Sequence, residues 1–407
     1  MGQFLITVRM DAMARIPEAA SDMGDNTKLA HCGHDPQSYY GFVNPPVVHA
    51  STVLFPNAKT TVEGGQKYTY GTHGTPTTDA ANAAFTMLEN AAGTLLYPSG
   101  LASITMPWLA FLKPGDHVLI VDSVYDPARR FADNVLRGLG VEVEYYDPAL
   151  GADIEGRFRS NTRLLHTESP GSNTFEIQDI RLLSDIAHAR DAIVSMDNTW
   201  ATPLYFKPLD FGADLSLSAA TKYPSGHSDI LMGTASANER CFPQLLQHYT
   251  WTGMCAAPDD SYQILRGLRT MGVRLAHHQK SALEVAAWLE DQPGVSRVLH
   301  PGLPSFPGHD LWKRDFKGAT GLFSVVLAAE EGAFRRRQHA FLDALDLFGI
   351  GYSWGGYESL AVPVNLSNRT ISTAPEDGPL IRLQIGLEDV GDLMADLEKG
   401  LAAARAA

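Results

Sequence analysis

The feature that most constrains the fold is a regular alternation of short apolar runs and amphipathic segments between residues 93 and 238. The run HVLIVD (117–122) is continuously apolar, as expected of a strand buried on both faces of a parallel sheet. Strands that alternate with helices over about 150 residues predict a mainly parallel, doubly wound α/β sheet. The predicted strands are GTLLYP, HVLIVD, VEVEYY (141–146), TRLLHTESP (162–170), AIVSMDNTW (192–200), DLSLSAATKY (214–223) and ILMGTASAN (230–238).

Each of these strands is followed by a polar, aromatic or glycine-bearing loop. In a doubly wound sheet the loops at the carboxyl ends of the strands line one crevice, where such folds bind their ligands. The loops predicted to meet there are PSGLAS (98–103), DSVYDP (122–127), ESPGSN (168–173), DNTW (197–200) and TKYPSG (221–226). The sequence therefore predicts a functional site at this edge.

The rest of the chain predicts two further parts. Residues 1–74 are predicted to form an N-terminal extension and an arm that contributes to a neighbouring subunit, since residues 27–74 carry little regular pattern. Residues 75–268 form the predicted large domain. Residues 269–407 form a smaller C-terminal α/β domain with an antiparallel sheet, and a long helix from about Asp259 to Asp291 links the two. We expect residues 1–26 to be only partly ordered.

Composition excludes several classes of function. The net charge of −14 and the lack of a basic stripe argue against a general nucleic-acid binder. No window is long and apolar enough for a transmembrane helix, so no membrane is expected. Three widely spaced cysteines do not resemble a disulfide framework, which favours a reducing cytoplasm. HCGH (31–34) is too small a cluster to predict a metal site.

Five kinds of group in the predicted crevice carry chemistry. Lys222 can form a Schiff base, and Asp197 ends an apolar strand where a buried carboxylate needs a cation. Tyr125 can stack on a flat ring, and the amides of PSGLAS, at a helix start, can cradle a phosphate. Arg382, in the strand LIRLQIG, can bind a carboxylate. Together they describe a pyridoxal 5'-phosphate site.

Taken singly, each group has a simpler explanation. Lys222 is then a solvated surface lysine, as most lysines are, and Tyr125 lies at the rim. Asp197 caps a helix, and PSGLAS is only a tight turn. Arg382 pairs with Glu388 or Asp389. Their joint placement at successive strand ends favours the cofactor site.

Longer motifs carry a family resemblance over about Thr27–Gly400. They include YPSGLAS, DNTW, ATKYPSGHSD, RGLRTMGVRL (266–275), HPGLP, WKRDFKGATGLFS (312–324), YSWGGYESL (352–360) and LIRLQIGLEDVGDL (380–393). With these motifs the chain resembles the Cys/Met-metabolism family of pyridoxal-phosphate enzymes, which have fold type I. The resemblance implies homotetramers built as dimers of dimers.

The resemblance also assigns roles to residues. Lys222 would hold the cofactor and, with Tyr125, carry catalysis. The implied cofactor-binding residues are Lys222, Asp197, Tyr125, Ser99, Gly100, Leu101, Thr221, Tyr70 and Thr72. The implied substrate-binding residues are Arg382, Ser353, Trp354, Asn173 and Tyr70.

The implied reaction is α,β-elimination from cystathionine or another cysteine thioether, which releases homocysteine, pyruvate and ammonia. The pair Ser353–Trp354 resembles that of the β-lyases, although Trp354 also suits a packing role. The alternative is a γ-synthase or γ-lyase of the same family. A nicotinamide dehydrogenase would need a G-x-G-x-x-G run after its first strand, and no such run follows GTLLYP or HVLIVD. A non-catalytic cofactor-binding protein is a third alternative.

The arm departs from the family pattern. Two residues after Tyr70, where the family usually has an arginine for the phosphate, this chain has Thr72 followed by His73. Ala219 stands where γ-type members often have a serine. We therefore expect the phosphate to be held with fewer charges, or with His73 or another cation in compensation.

Overall fold

A computed structural model describes residues 23–372, 375 and 377–407. The predicted extension over residues 1–26 thus lies largely outside the described residues. The strands are β1 (Gly93–Tyr97), β2 (His117–Val121), β3 (Glu142–Tyr146), β4 (Thr162–Glu168), β5 (Ile193–Asp197), β6 (Leu215–Ser218), β7 (Gly233–Ala237), β8 (Val295–Leu299), β9 (Leu322–Leu327), β10 (Leu360–Pro363) and β11 (Leu380–Gln384).

Helices alternate with the strands of the large domain and cover those of the small one. They are α1 (Asp25–His31), α2 (Ala58–Glu63), α3 (Pro76–Glu89), α4 (Gly100–Phe111), α5 (Asp126–Phe131), α6 (Ile180–His188), α7 (Thr202–Tyr205), α8 (Phe242–Thr252), α9 (Pro258–Glu290), α10 (His309–Asp315), α11 (Phe334–Asp343) and α12 (Val390–Ala406). One π-helical turn, Ala132–Leu136, continues α5.

The central sheet has seven strands in the order β1-β7-β6-β5-β4-β2-β3. Strands β6, β5, β4, β2 and β3 pair in parallel, while β7 runs antiparallel to both β1 and β6. Strands β1, β2 and β7 are buried along their whole length, and the continuously apolar β2 is the kind of strand expected inside a sheet covered on both faces. The predicted mainly parallel, doubly wound sheet is confirmed.

The smaller sheet has four antiparallel strands in the order β10-β11-β9-β8. Its core joins these strands to α9, α11 and α12 around residues such as Phe323, Phe341 and Leu397. Helix α9 has 33 residues and also packs on α3, so it contacts both cores. The predicted domain boundary at 268/269 falls inside α9 and stays a prediction.

Several local predictions need correction. Residues 27–74 contain most of α1, all of α2 and two 3-10 turns, Pro36–Tyr39 and Gly71–His73, rather than little regular structure. Helix α3 is capped by Thr75, which forms a reciprocal capping box with Thr78. Strand β10 is not predicted from the sequence, because its four residues carry too short a pattern. Across the described ranges, no helix is long and apolar enough to cross a membrane.

Candidate active site

The lysine singled out by the sequence lies in a turn just beyond β6, which ends at Ser218 rather than at Tyr223. Its Nζ donates a hydrogen bond of 2.6 Å to Ser353 Oγ and lies 5.3 Å from the centre of the Trp354 ring. Burial, reinforced by the positive charge of Arg382, lowers the pKa of Lys222 to about 8. A lysine amine in this state is poised to act as a nucleophile or base near neutral pH.

Two contacts fix the backbone of this lysine turn. The buried Arg274 guanidinium donates to the carbonyl of Tyr223 at 2.8 Å, immediately after Lys222. Gly355 has φ of 82° and lies so close that a Cβ there would sit 2.8 Å from Tyr223 N. Glycine adopts this positive φ without strain and has no Cβ to clash with Tyr223 N, so residues 353–355 can pack closely against the lysine turn.

Asp197 ends β5 and is buried beside the lysine turn. Its Oδ1 accepts hydrogen bonds from Thr199 N at 2.9 Å and from Thr199 Oγ1 at 2.5 Å. Burial raises its pKa, while the Thr199 donors and the charge of Lys222 lower it. Its register neighbour on β4 is Glu168, whose pKa burial and the Asp197 charge raise well above the ordinary value.

The two remaining loops of the large sheet supply an aromatic ring and a helix start. Tyr125 precedes α5, its side chain is partly exposed, and its backbone N–H donates to Glu168 Oε2 at 2.7 Å. Ser99 caps α4 by accepting from Ala102 N at 3.1 Å. The amides of Gly100 and Leu101 then occupy the first helical positions, which have no intrahelical acceptor.

The small domain brings the candidate carboxylate clamp. Arg382, on β11, donates to Ser353 O at 3.3 Å and to Asn173 Oδ1 at 3.4 Å. Burial lowers its pKa to about 10, where it stays charged at neutral pH. No bond to Glu388 or Asp389 competes for the guanidinium among the described residues, so the simpler ion-pair explanation does not hold.

The structure thus gathers Lys222, Ser353, Trp354, Arg382 and Asn173 by direct contact, with their electrostatic neighbours Asp197 and Tyr125. Tyr70 and Thr72 lie elsewhere, on the arm: Tyr70 pairs with Thr52 and its hydroxyl accepts from Ser51 Oγ. The neighbouring His73 Nδ1 contacts Thr69 Oγ1 at 2.9 Å. The hydroxyl of Thr221 bonds to both the carbonyl and the amide of Met232.

Three residues of this site have no role predicted from the sequence. Thr199 anchors Asp197, Glu168 anchors Tyr125, and Gly355 lets its loop approach Lys222. Thr199 and Glu168 lie in strand-end loops that the sequence did identify, so their position was a usable signal. Gly355 lies in a distant loop with no such pattern.

The comparisons with known proteins agree with this geometry. The family model of Cys/Met metabolism PLP-dependent enzymes matches residues 26–402. A protein of Rhizobium johnstonii, which carries the provisional name cystathionine beta-lyase, is 63% identical over 94% of this chain and 97% of its own length. Cystathionine beta-lyase MetC of Escherichia coli is 42% identical over 93% of this chain and 98% of its own.

Two further relatives widen the range of known activities. An L-alanine/L-glutamate racemase of Wolbachia pipientis is 41% identical over 93% of this chain and 97% of its own. The crystal structure of metB from Corynebacterium glutamicum superposes with a TM-score of 0.87 at 32% identity, covering 94% of this chain and 99% of that one. The fold and site therefore define an α/β enzyme that depends on pyridoxal phosphate. The chain belongs to the Cys/Met metabolism family of PLP-dependent enzymes.

The residues present fit that cofactor. Asp197 is a buried carboxylate, and within residues 23–372, 375 and 377–407 no lysine, arginine or histidine lies within ion-pair distance of it. A protonated ring nitrogen would supply the missing cation. The first amides of α4 would face the phosphate, and Lys222 would take the aldehyde.

Proposed function

We propose that this chain is a carbon–sulfur β-lyase that cleaves L-cystathionine to homocysteine, pyruvate and ammonia. The observation that carries the proposal is the double role of Ser353. Its hydroxyl accepts from Lys222 Nζ at 2.6 Å, and its carbonyl accepts from Arg382 at 3.3 Å. One residue therefore sets the distance between the candidate base and the candidate clamp for the substrate α-carboxylate.

The side chains divide the work of the reaction. Bound pyridoxal phosphate supplies an aldehyde for the substrate amine and a ring that stabilises negative charge at Cα. Arg382 and Asn173 hold the α-carboxylate, which fixes Cα next to Lys222. Lys222 Nζ takes the Cα proton and returns a proton, directly or through Tyr125, to the departing sulfur as the Cβ–S bond breaks. The freed 2-aminoacrylate is hydrolysed by water to pyruvate and ammonia.

Trp354 is the residue that favours β- over γ-elimination in this proposal. Its indole packs 5.6 Å from the ring of Tyr223, measured between centroids, and lies beside Lys222 Nζ. A bulky ring there restricts how the γ-carbon of the substrate can approach the base. A γ-synthase or γ-lyase is the alternative, and racemisation shares the first proton transfer at Lys222.

The proposed assembly is a homotetramer of two dimers, located in the cytoplasm. Its support is the apolar surface of the arm, where Tyr40 is 97%, Phe42 71%, Leu54 85% and Val62 75% exposed. Monomeric proteins rarely leave so many large apolar side chains exposed along one segment. In the proposed dimer the arm carries Tyr70 and Thr72 to the cofactor phosphate of the neighbouring subunit.

The test is the product profile of the purified, cofactor-loaded protein with L-cystathionine. Pyruvate and homocysteine in equal amounts are expected. Accumulation of 2-oxobutyrate and cysteine would replace the proposal with the γ-lyase alternative. D-alanine formed from L-alanine without pyruvate from cystathionine would identify a racemase instead.

A further inference from the structure

Between β10 and β11 the chain leaves the small sheet and reaches the large domain. Residues 364–372, called the strap below, are tied there by the buried carboxylate of Asp122, next to the end of β2. That carboxylate accepts from the backbone amides of Thr370 at 3.2 Å, Ile371 at 3.0 Å and Ser372 at 2.7 Å. The strap is therefore a fixed bridge between the two domains.

One side chain of the strap reaches the loop that carries Asn173. The Arg369 side chain is only 4% exposed, and its Nη2 donates to Ser172 O at 2.5 Å. Its Nη1 pairs with Glu176 Oε1 at 3.3 Å. These two contacts hold both ends of residues 171–176, which form the clamp loop.

The backbone of the clamp loop includes unfavourable φ angles, so contacts from outside the loop are needed to hold its conformation. Asn173 has φ of 66° and Phe175 has φ of 62°, both in the left-handed region that non-glycine residues rarely occupy. In this conformation Asn173 Oδ1 faces Arg382 Nη1 at 3.4 Å. If the clamp loop relaxed, Asn173 would turn away and Arg382 would lose one of its two partners.

We propose that Arg369 is a positioning residue for substrate binding, because it holds the clamp loop in the conformation that presents Asn173 to Arg382. This inference rests on the proposed role of Arg382 and Asn173 as the site of the substrate α-carboxylate. Arg369 itself bonds to Ser172 and Glu176, so its effect on the substrate passes through Asn173.

The experiment compares Arg369→Ala with Arg369→Lys in the cofactor-loaded protein. Arg369→Ala is expected to raise KM for cystathionine about tenfold or more, while kcat and the affinity for pyridoxal phosphate change by less than about threefold. Arg369→Lys keeps the charge but can reach fewer partners, so its KM should lie between those of Arg369→Ala and the wild type. Glu176→Gln, which weakens the grip on one side, provides a milder variant if Arg369→Ala does not fold.

A double-mutant cycle separates positioning from general destabilisation. If Arg369 acts through Asn173, then Arg369→Ala adds little to the KM of Asn173→Ala. Independent, multiplying effects of the two substitutions would overturn the proposal, as would an unchanged KM in Arg369→Ala. Arg337→Ala is the matched control, because Arg337 also donates to a carbonyl, that of Ala328, but far from the site; its KM should match the wild type.

Titration of the cofactor-loaded protein with glycine, monitored by the absorbance of the cofactor, tests the positioning role of Arg369 without any C–S cleavage. Weaker glycine binding in Arg369→Ala is expected even if the substrate is not cystathionine. A wild type that binds glycine but does not cleave cystathionine contradicts the proposed function alone. Glycine binding that is unchanged in Arg369→Ala contradicts the positioning role alone.

Discussion

Replacing Thr199 with valine removes one buried hydroxyl from the site and keeps the shape of the side chain. That hydroxyl donates to Asp197 Oδ1 at 2.5 Å and accepts from Ala219 N at 2.9 Å. The second bond to Asp197, from the Thr199 backbone N–H at 2.9 Å, survives the substitution. The variant therefore isolates what one hydroxyl contributes to a buried carboxylate and to the strand end that precedes Lys222.

The size of the effect follows from the two lost bonds. A hydrogen bond to a charged group contributes about 1.5–3 kcal/mol, and a buried N–H left without a partner costs about 1–3 kcal/mol. Because the two losses share one site and are not additive, we expect the free energy of unfolding to fall by about 2–4 kcal/mol. The Asp197 carboxylate is also less stabilised, so the affinity for pyridoxal phosphate should fall about tenfold, which corresponds to about 1.4 kcal/mol.

Urea unfolding of the cofactor-free protein and titration with pyridoxal phosphate measure the two quantities separately. Thr199→Ser is the matched control, since it keeps the hydroxyl and loses only a methyl group. It should remain close to the wild type in cofactor affinity. A Thr199→Val variant that matched Thr199→Ser in both measurements would refute the argument that this hydroxyl holds Asp197.

Four further predictions test other parts of the site. Lys222→Ala should abolish turnover and leave the cofactor removable by dialysis; full activity would exclude the lysine from the mechanism. Covalent capture of pyridoxal phosphate by the cofactor-free protein needs the neutral amine, so its rate should rise with pH through about 8, the lowered pKa of Lys222. A rate that rises only near pH 10.5, the ordinary pKa of lysine, would contradict the lowered pKa of Lys222. Burial alone would raise the pKa of Asp122, but the strap amides and Arg129 outweigh it and hold the pKa at about 2, below the ordinary 3.8. Its carboxylate should therefore stabilise the fold by about 2 kcal/mol above about pH 4, and the stability difference from Asp122→Asn should shrink as pH falls towards 2. Thr72→Arg should slow the loss of cofactor on dilution if the arm reaches a neighbouring phosphate, and an unchanged rate would place the arm elsewhere.

The large-domain half of the site could be predicted because a simple physical rule governs it. In a doubly wound sheet the carboxyl ends of the parallel strands share one edge, so loops far apart in sequence must meet. Asp197 is the last residue of β5 and Lys222 follows the neighbouring strand β6, and the register pairs Asp197 with Leu217. A hydrophobic pattern that locates the strands therefore also locates these side chains.

No comparable rule locates the small-domain half of the site. Ser353 lies 131 residues from Lys222 in the chain, yet the two side chains are hydrogen-bonded. That contact depends on how the small domain docks and on Ser353 having φ of 86°, which no local pattern predicts. The strap is similar: Arg369 lies 197 residues from Ser172, and its target is a backbone carbonyl, which leaves no trace in the sequence. The resemblance to a family supplied Ser353 and the residue pattern supplied Arg382, but neither supplied Arg369.

The contact between the two halves affects the proposed proton transfer at Lys222. After burial, the charge of Arg382 is the main influence that lowers the Lys222 pKa. With the α-carboxylate of the proposed substrate on Arg382, that charge is offset and the lysine becomes more basic. An empty site thus keeps more of the Lys222 amine neutral and able to react with the aldehyde, whereas a filled site would make each neutral amine a stronger acceptor for the Cα proton. A substrate analogue without its carboxylate should then lose kcat as well as affinity, because it binds without raising the basicity of Lys222.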